Sequence, residues 1–197
     1  MPIKETILSL LDEHIGYLTT KAAREQGVDN KSLQRMTDRG LIEHAAHGLY
    51  IGADIIPDPF FVTQYRCPKG IFSHETALFL HDLCDRVPLR LTMTIPSGWN
   101  SQLLTDDNLL FFYCKPSLIG LGIVETQTPS GLKVNVYDRE RTLCDCLRSR
   151  DKMDMDLVLS ALKQYMKSSA NDNVRLLEYA ATFKIRDTVR RYIEVLS

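Results

Sequence analysis

Three groups of residues in this chain have types and spacings that could do chemistry. Ser73, His74 and Glu75 stand in a row and offer a hydroxyl, an imidazole and a carboxylate. Nucleophilic sites of that composition are assembled in space, and adjacent residues at a helix start point in different directions. The competing account has Ser73 as a helix cap and His74 buried and hydrogen-bonded. A second group, Asp138, Arg139, Glu140 and Arg141 with Asp145, could form a phosphate or nucleotide pocket, because guanidinium forks bind phosphate bidentately. More often such a group is a capped, salt-bridged helix start, with Arg141 and Asp145 paired four residues apart for a few tenths of a kcal/mol.

The third group is Asn30, Lys31, Gln34 and Arg35, followed by Arg39. Arg and Lys suit guanine edges, Asn and Gln suit adenine, and Arg39 suits a phosphate, which positions without specifying. The competing account is an ordinary solvated helix face. His47, and less so His44, could reach a nucleic-acid backbone. In the last third, Lys163, Lys167, Arg175, Lys184, Arg186, Arg190 and Arg191 are candidates for sequence-independent DNA contacts or simply a charged surface.

The elements that must position the third group can be read from 19–52. Thr19 or Thr20 can cap a short helix carrying Ala22 and Ala23, and Gly27 breaks it. Asp29 or Asn30 can cap a second helix, in which Leu33 and Met36 share a buried face. Gly40 suits its C-terminus. Leu41 to Ile51 reads as strand, His47-Gly48 turn, strand. Ile3 to Glu13 has an apolar stripe of Ile3, Ile7, Leu10 and Leu11 and closes the same small core; Tyr17 and Leu18 can add a short strand. The expectation is a winged helix-turn-helix domain over 1–55, with its second helix presented to the major groove of duplex DNA.

Ala53 to Pro59 holds two prolines and two aspartates and reads as a linker. Beyond it, 56–197 reads as a mixed α/β domain ending in helices, which makes the chain α+β. A short helix is expected over Phe60 to Arg66 and another within Ile71 to Asp85. Leu89 to Ile95 alternates as a half-buried strand, with Leu89, Leu91, Met93 and Ile95 on the buried side. Leu109 to Cys114 and Gly131 to Asp138 supply further strands of a sheet of roughly four. Helices follow Asp138 and then span 154–167, 174–181 and 188–196.

Composition bounds these readings. With 197 residues, 44% hydrophobic and 25% charged, the chain is ordinary for a globular protein of one or two domains. The net charge of −1 gives no global basic signature, so any attraction to phosphate is local. Residues 143–197 carry ten Lys or Arg against eight Asp or Glu, the basic end of the chain. Five cysteines, an odd number, argue against a disulfide framework, and Cys144 and Cys146 lack the second pair a zinc site requires. No metal, cofactor or catalytic residue is expected. Met1 to Leu11 lacks the apolar core of a secretory leader, and the longest apolar run, Leu109 to Cys114, is too short to span a bilayer, so no membrane and a cytoplasmic location are expected.

Four segments carry a family resemblance: GLYIGADIIPDP (48–59), GIFSHETALFLHDL (70–83), LTMTIPSGWN (91–100) and VYDRERTLCDCLR (136–148). In this order the chain resembles the AbiEi-type antitoxins of bacterial type IV toxin–antitoxin systems, which belong to the abortive-infection defences against phage. The resemblance implies a winged N-terminal domain, a C-terminal antitoxin domain, and repression of the operon by binding inverted repeats in its promoter. It also implies a nucleotidyltransferase-like toxin as functional partner, countered without a stable complex, and basic C-terminal residues that assist DNA binding. Relatives often carry a basic residue where His47 stands. An imidazole is mostly neutral at neutral pH, so a phosphate contact there would be weaker or pH-dependent. The alternatives are an enzyme acting on nucleotides and a module that binds the toxin directly.

Overall fold

The computed structural model describes residues 3–99 and 102–196, so the end of the 91–100 segment lies outside them. The chain divides into two compact units, 1–66 and 67–197. Each has its own sheet and core, and the fold is mixed α+β.

The first unit runs α1 (Ile3–Glu13), β1 (Tyr17–Thr19), α2 (Thr20–Glu25), α3 (Asn30–Asp38), β2 (Ile42–Ala46), β3 (Leu49–Gly52) and α4 (Pro59–Arg66). The apolar stripes of α1 and α3 meet in one core: Ile7, Leu10, Leu11, Leu33 and Met36, joined by Leu18, Ala23, Val28 and Ile42. β3 lies between β1 and β2, antiparallel to both. Thr19, not Thr20, caps α2, its hydroxyl accepting from the Ala22 N–H at 3.1 Å. The Thr20 N–H instead binds the Gly48 carbonyl at 2.9 Å and ties α2 to the hairpin turn.

The division falls after α4, not in the Ala53–Pro59 stretch where composition had placed it. That stretch is tied into the first unit. The Asp58 N–H donates to the Tyr17 hydroxyl at 2.6 Å, and the Asp58 carboxylate accepts from the Phe60 and Phe61 N–H groups. The Tyr65 hydroxyl donates to the Gly48 carbonyl at 3.0 Å.

The second unit holds a five-stranded mixed sheet: β4 (Ile71–Phe72), β5 (Leu91–Pro96), β6 (Leu109–Cys114), β7 (Ile123–Gln127) and β8 (Lys133–Tyr137), in the order β6-β5-β4-β8-β7. Pairs β5–β6 and β4–β8 are parallel, and β4–β5 and β7–β8 are antiparallel. Its helices are α5 (His74–Leu80), α6 (Arg139–Arg148), α7 (Met155–Lys167), α8 (Asn173–Thr182) and α9 (Arg186–Leu196). Among the described residues no helix is long and apolar enough to cross a membrane.

Three expectations are corrected here. β5 begins at Leu91, and Leu89 is 96% exposed. Along β5 the threonines are buried as well as Met93 and Ile95, because the strand is interior to the sheet and α5 covers its other face. The hydroxyl of Thr92 accepts from the Thr76 N–H and the Thr92 N–H donates to the Thr76 hydroxyl. Ser73 precedes α5 but its hydroxyl caps nothing; it accepts from Thr94 at 2.9 Å and pairs with His74 Nδ1 at 2.9 Å. The sheet also gains β4 and β7. The side chains of β7 are mostly exposed, so neither an alternating nor a continuous apolar signal marks it.

The largest correction concerns Arg141. It is wholly buried, as is Asp145. Its Nε donates to Asp145 Oδ2 at 2.8 Å, and Nη1 donates to the carbonyls of Leu118 and Leu121 at 3.1 and 3.0 Å. Nη2 meets Cys114 Sγ at 3.5 Å. The guanidinium lies 4.2 Å from the ring centroids of both Tyr137 and Phe183. Arg148 Nη2 sits 3.0 Å from Asp145 Oδ1 as an ion pair without hydrogen-bond geometry. Burial is the largest influence and works against the charge on Arg141, but Asp145, Tyr137 and Cys114 together outweigh it and hold the guanidinium protonated. Gly122, at φ +77°, permits the close approach: a Cβ there would lie 2.9 Å from Arg141 Cβ.

Two measurements follow from this core. Arg141→Leu leaves Asp145 buried with only Arg148 beside it, and removal of one partner from a buried pair costs about 3–5 kcal/mol. Urea denaturation of the variant should show a loss of that size; a loss within the few tenths of a kcal/mol of a surface pair would contradict the burial. His74 provides the second. Its ring stacks on Phe112 at 3.5 Å between centroids, its Nε2 pairs with Ser149 Oγ at 3.1 Å, and burial pushes its pKa down to about 3. Between the ordinary imidazole value of 6.5 and about 3, the unfolded chain holds a proton that the folded chain does not. Stability contributed by His74 is therefore full above that window and falls with acid, by about 1.4 kcal/mol per pH unit. His74→Asn, which tolerates the local φ of +49°, should lose this slope when denaturation midpoints are compared from neutral to mildly acid pH.

Candidate nucleic-acid interface

The second helix of the N-terminal pair is built from its cap outward. Asp29 is the cap: its Oδ1 accepts from the Ser32 N–H at 2.8 Å. Hydrogen bonding from Ser32, through its hydroxyl first and its N–H second, favours the charged form and holds the Asp29 carboxyl below its usual range. Leu33 and Met36 are buried, which fixes the rotation of α3 and turns the other side out. Asn30, Lys31, Gln34 and Arg35 are all exposed. Their spacing of i, i+1, i+4 and i+5 keeps them on one side of a 3.6-residue period. Gln34 Nε2 donates to Asp38 Oδ1 at 2.8 Å along that side. Arg39, at the C-cap, is exposed as well.

The hairpin β2–β3 follows at once. His47 and Gly48 form its turn; Gly48 has φ +74°, and a Cβ there would lie 3.1 Å from Thr20 Oγ1 and 3.2 Å from the Tyr65 hydroxyl. His47 is exposed at the tip. His44 is exposed on β2, with its ring against Tyr50, its cross-strand partner, at 4.3 Å between centroids. A groove runs along this junction, lined by Thr20, Arg24, Asn30, His44, His47 and Tyr50 among others. As groove residues, Arg24 and Thr20 were not foreseen from the sequence, where Thr20 stood only as a candidate cap. Arg24 is six positions from Asn30 across the Gly27 turn, so only the folded pair of helices brings the two to one groove.

In the second unit Lys163 and Lys167 are exposed on α7, and Arg186, Arg190 and Arg191 on α9. Arg175 pairs with Asp172 at 3.5 Å, and Arg191 Nε donates to the Asp187 carbonyl at 3.4 Å. Lys184 is exposed at φ +60°.

The other two chemical groups of the sequence do not converge on a site. Arg141 spends Nε, Nη1 and Nη2 on the protein's own atoms, so no phosphate can enter that fork. Asp138 caps α6 through the Arg141 N–H at 2.8 Å and accepts from the Tyr179 hydroxyl at 3.0 Å, and burial pushes its carboxyl up. Glu75 faces away from His74, in an ion pair with Arg86 at 2.9 Å. The five cysteines are buried and unpaired with one another. Among the described residues, no group of three or more His, Cys, Asp or Glu is placed to hold a metal ion.

Residues 5–51, the stretch that contains this interface, match a family model described as a transcriptional regulator, AbiEi antitoxin. The match is consistent with an AbiEi-type antitoxin and is confined to the first unit. Across 92% of the chain, the fold is similar to that of the RV2827C protein from Mycobacterium tuberculosis, known from a crystal structure. The TM-score is 0.63 at 11% identity, and 72% of that chain is covered. At this identity the likeness concerns the fold alone. No curated protein matches the sequence.

The cap gives a test of how α3 is held. Asp29→Ala removes the acceptor for the Ser32 N–H and should cost about 1 kcal/mol in thermal denaturation of the first unit. Asp29→Ser should restore most of it, because a serine hydroxyl accepts the same bond.

Proposed function

We propose that this protein is the antitoxin of a type IV toxin–antitoxin system and represses its own operon. In this reading residues 1–66 act as a winged helix-turn-helix. α3 lies in the major groove of operator DNA, with Asn30, Lys31, Gln34 and Arg35 toward base edges and Arg39 toward phosphate. The β2–β3 hairpin, with His47 at its tip, follows the sugar–phosphate chain. The operator is a pair of inverted repeats, and repression is by occlusion of the promoter. Residues 67–197 form the antitoxin domain. It counters a nucleotidyltransferase-like toxin in the cytoplasm without a stable complex and without a reaction of its own. Lys163, Lys167, Arg186, Arg190 and Arg191 add phosphate contacts that carry no sequence information.

The observation that carries this reading is the exposed polar side of α3 over its buried Leu33 and Met36, with the hairpin directly after it. The family match over 5–51 supports the same reading.

The test is retardation of a duplex from the protein's own promoter in a gel. Wild type should bind, and Arg35→Ala should weaken binding by about 1–3 kcal/mol and relax specificity at one base position. Arg39→Ala should weaken all sequences alike and lower the salt slope by about 1. Absence of any shift at low salt, where phosphate attraction is greatest, overturns DNA binding. A complex with the toxin that survives purification overturns the mode of neutralisation.

A further inference from the structure

The five-stranded sheet ends in two edges, and they are built differently. β7 carries Glu125, paired with Lys133 of β8 at 2.7 Å. Charge on an edge strand is one of the devices by which proteins keep an edge unpaired. β6, the other edge, reads Leu-Leu-Phe-Phe-Tyr-Cys. It has no charge, no proline and no break in its register against β5. Among the described residues, no strand pairs with its outer side. Aromatic residues favour extended chain, and an apolar edge of this kind is a template for another strand.

The bonds to β5 fix which groups that edge offers. The Leu91 N–H donates to the Asn108 carbonyl at 2.9 Å, and the Ser97 N–H donates to the Cys114 carbonyl at 2.7 Å. Backbone groups alternate in side along a strand, so Leu110 and Phe112 also turn toward β5, while Leu109, Phe111 and Tyr113 turn outward. Leu109 is already engaged. Its N–H donates to the Asp106 carbonyl at 3.0 Å, and its carbonyl accepts from Arg90 Nη2 at 2.6 Å. A carbonyl has a second lone pair to offer. The remaining outward groups belong to Phe111 and Tyr113, and Tyr113 is 55% exposed.

We infer that β6 is the interface of a two-fold dimer of this chain, in which the β6 edges of two copies pair antiparallel and join their sheets. Bonds form only where outward residues oppose outward residues, and an axis through Phe111 is the register centred on the strand. It sets Phe111 against its own copy, Leu109 against Tyr113 and Leu110 against Phe112, so apolar side chains meet on both faces. The same axis sets Asp107 of each copy opposite Lys115 of the other, and both residues are exposed. Moving the axis one residue either way separates these opposite charges. Pairing of β6 with β7 of a second copy lacks that match and repeats without closing. The inference is independent of the DNA-binding reading.

The experiment is sedimentation equilibrium of the full chain at neutral pH and low salt. It spans about 5 to about 500 µM, the range suited to an edge that buries less than the roughly 800 Å² per partner of a standard interface. The average mass should rise from one chain toward two. Asp107→Lys and Lys115→Asp each set like charges against one another twice and should raise the dissociation constant about tenfold. The double exchange should restore it. Under oxidised glutathione, Phe111→Cys should link two copies, because the axis passes through that position. Tyr113→Cys, set about 14 Å from its own copy by the strand rise, should not. A single chain at every concentration overturns the inference. So does a dimer unmoved by both single exchanges, or linkage as ready through Tyr113→Cys as through Phe111→Cys. Mass that continues to rise beyond two chains indicates β6 on β7 and overturns it as well. Gel retardation of promoter DNA, whatever its result, bears on the DNA-binding reading alone.

Discussion

The second unit depends on one buried cation. Taking a guanidinium out of water costs several kcal/mol, and a matched carboxylate alone seldom recovers it. Arg141 is held because its donors are shared among distant parts of the chain: the end of β6 at Cys114, the loop carbonyls of Leu118 and Leu121, and Asp145 one turn along α6. Tyr137 on β8 and Phe183 at the end of α8 lie against its faces. The Tyr137 hydroxyl binds the same loop through the Ile119 carbonyl at 2.9 Å. The loop carbonyls of Leu118 and Leu121 need donors that reach them from the helix, and a planar fork provides them at fixed angles. The gain is in specificity of arrangement more than in net stability, since each segment must be in place for the charge to be satisfied.

The polar links around α6 extend the same constraint. Glu140 accepts from the Tyr165 hydroxyl at 2.7 Å, and that hydroxyl accepts from the Asp172 N–H at 2.7 Å, so α6, α7 and the start of α8 share one chain of bonds. Asp138 and Tyr179 make a second link from α6 to α8 at 3.0 Å. Burial raises the pKa of Tyr179, to about 12, which keeps it a donor across the range in which the protein would work. A helix that is buried along nearly all its length and still reads Arg-Glu-Arg-Thr-Leu-Cys-Asp-Cys needs such partners.

The first unit was far more legible in the sequence than the second, for a physical reason. Its caps, turns and stripes are local: Thr19 and Asp29, Gly27 and Gly40, and Leu33 with Met36 act within a few residues of where they stand. The exposed side of α3 follows from its buried side by periodicity alone. In the second unit the decisive partners are far apart in the chain. An Arg and an Asp four apart look the same on a surface as in a core, and only Leu118, Leu121, Tyr137 and Phe183 distinguish the cases. Thr92 and Thr94 read as the solvent face of β5 because α5 supplies their partners, Ser73 and Thr76, from outside the strand. The groove was hidden for a related reason. Arg24 and His44 meet in its lining only once α2 and the hairpin are folded together.

The net charge of −1 sets a condition on the proposed interface. A protein without an overall positive field gains little from long-range steering and must hold duplex DNA through a few local cations. Lys31, Arg35, Arg39 and Arg24 are such residues, and all four are exposed. More of them on the hairpin would strengthen binding to any duplex, since phosphate attraction carries no sequence information.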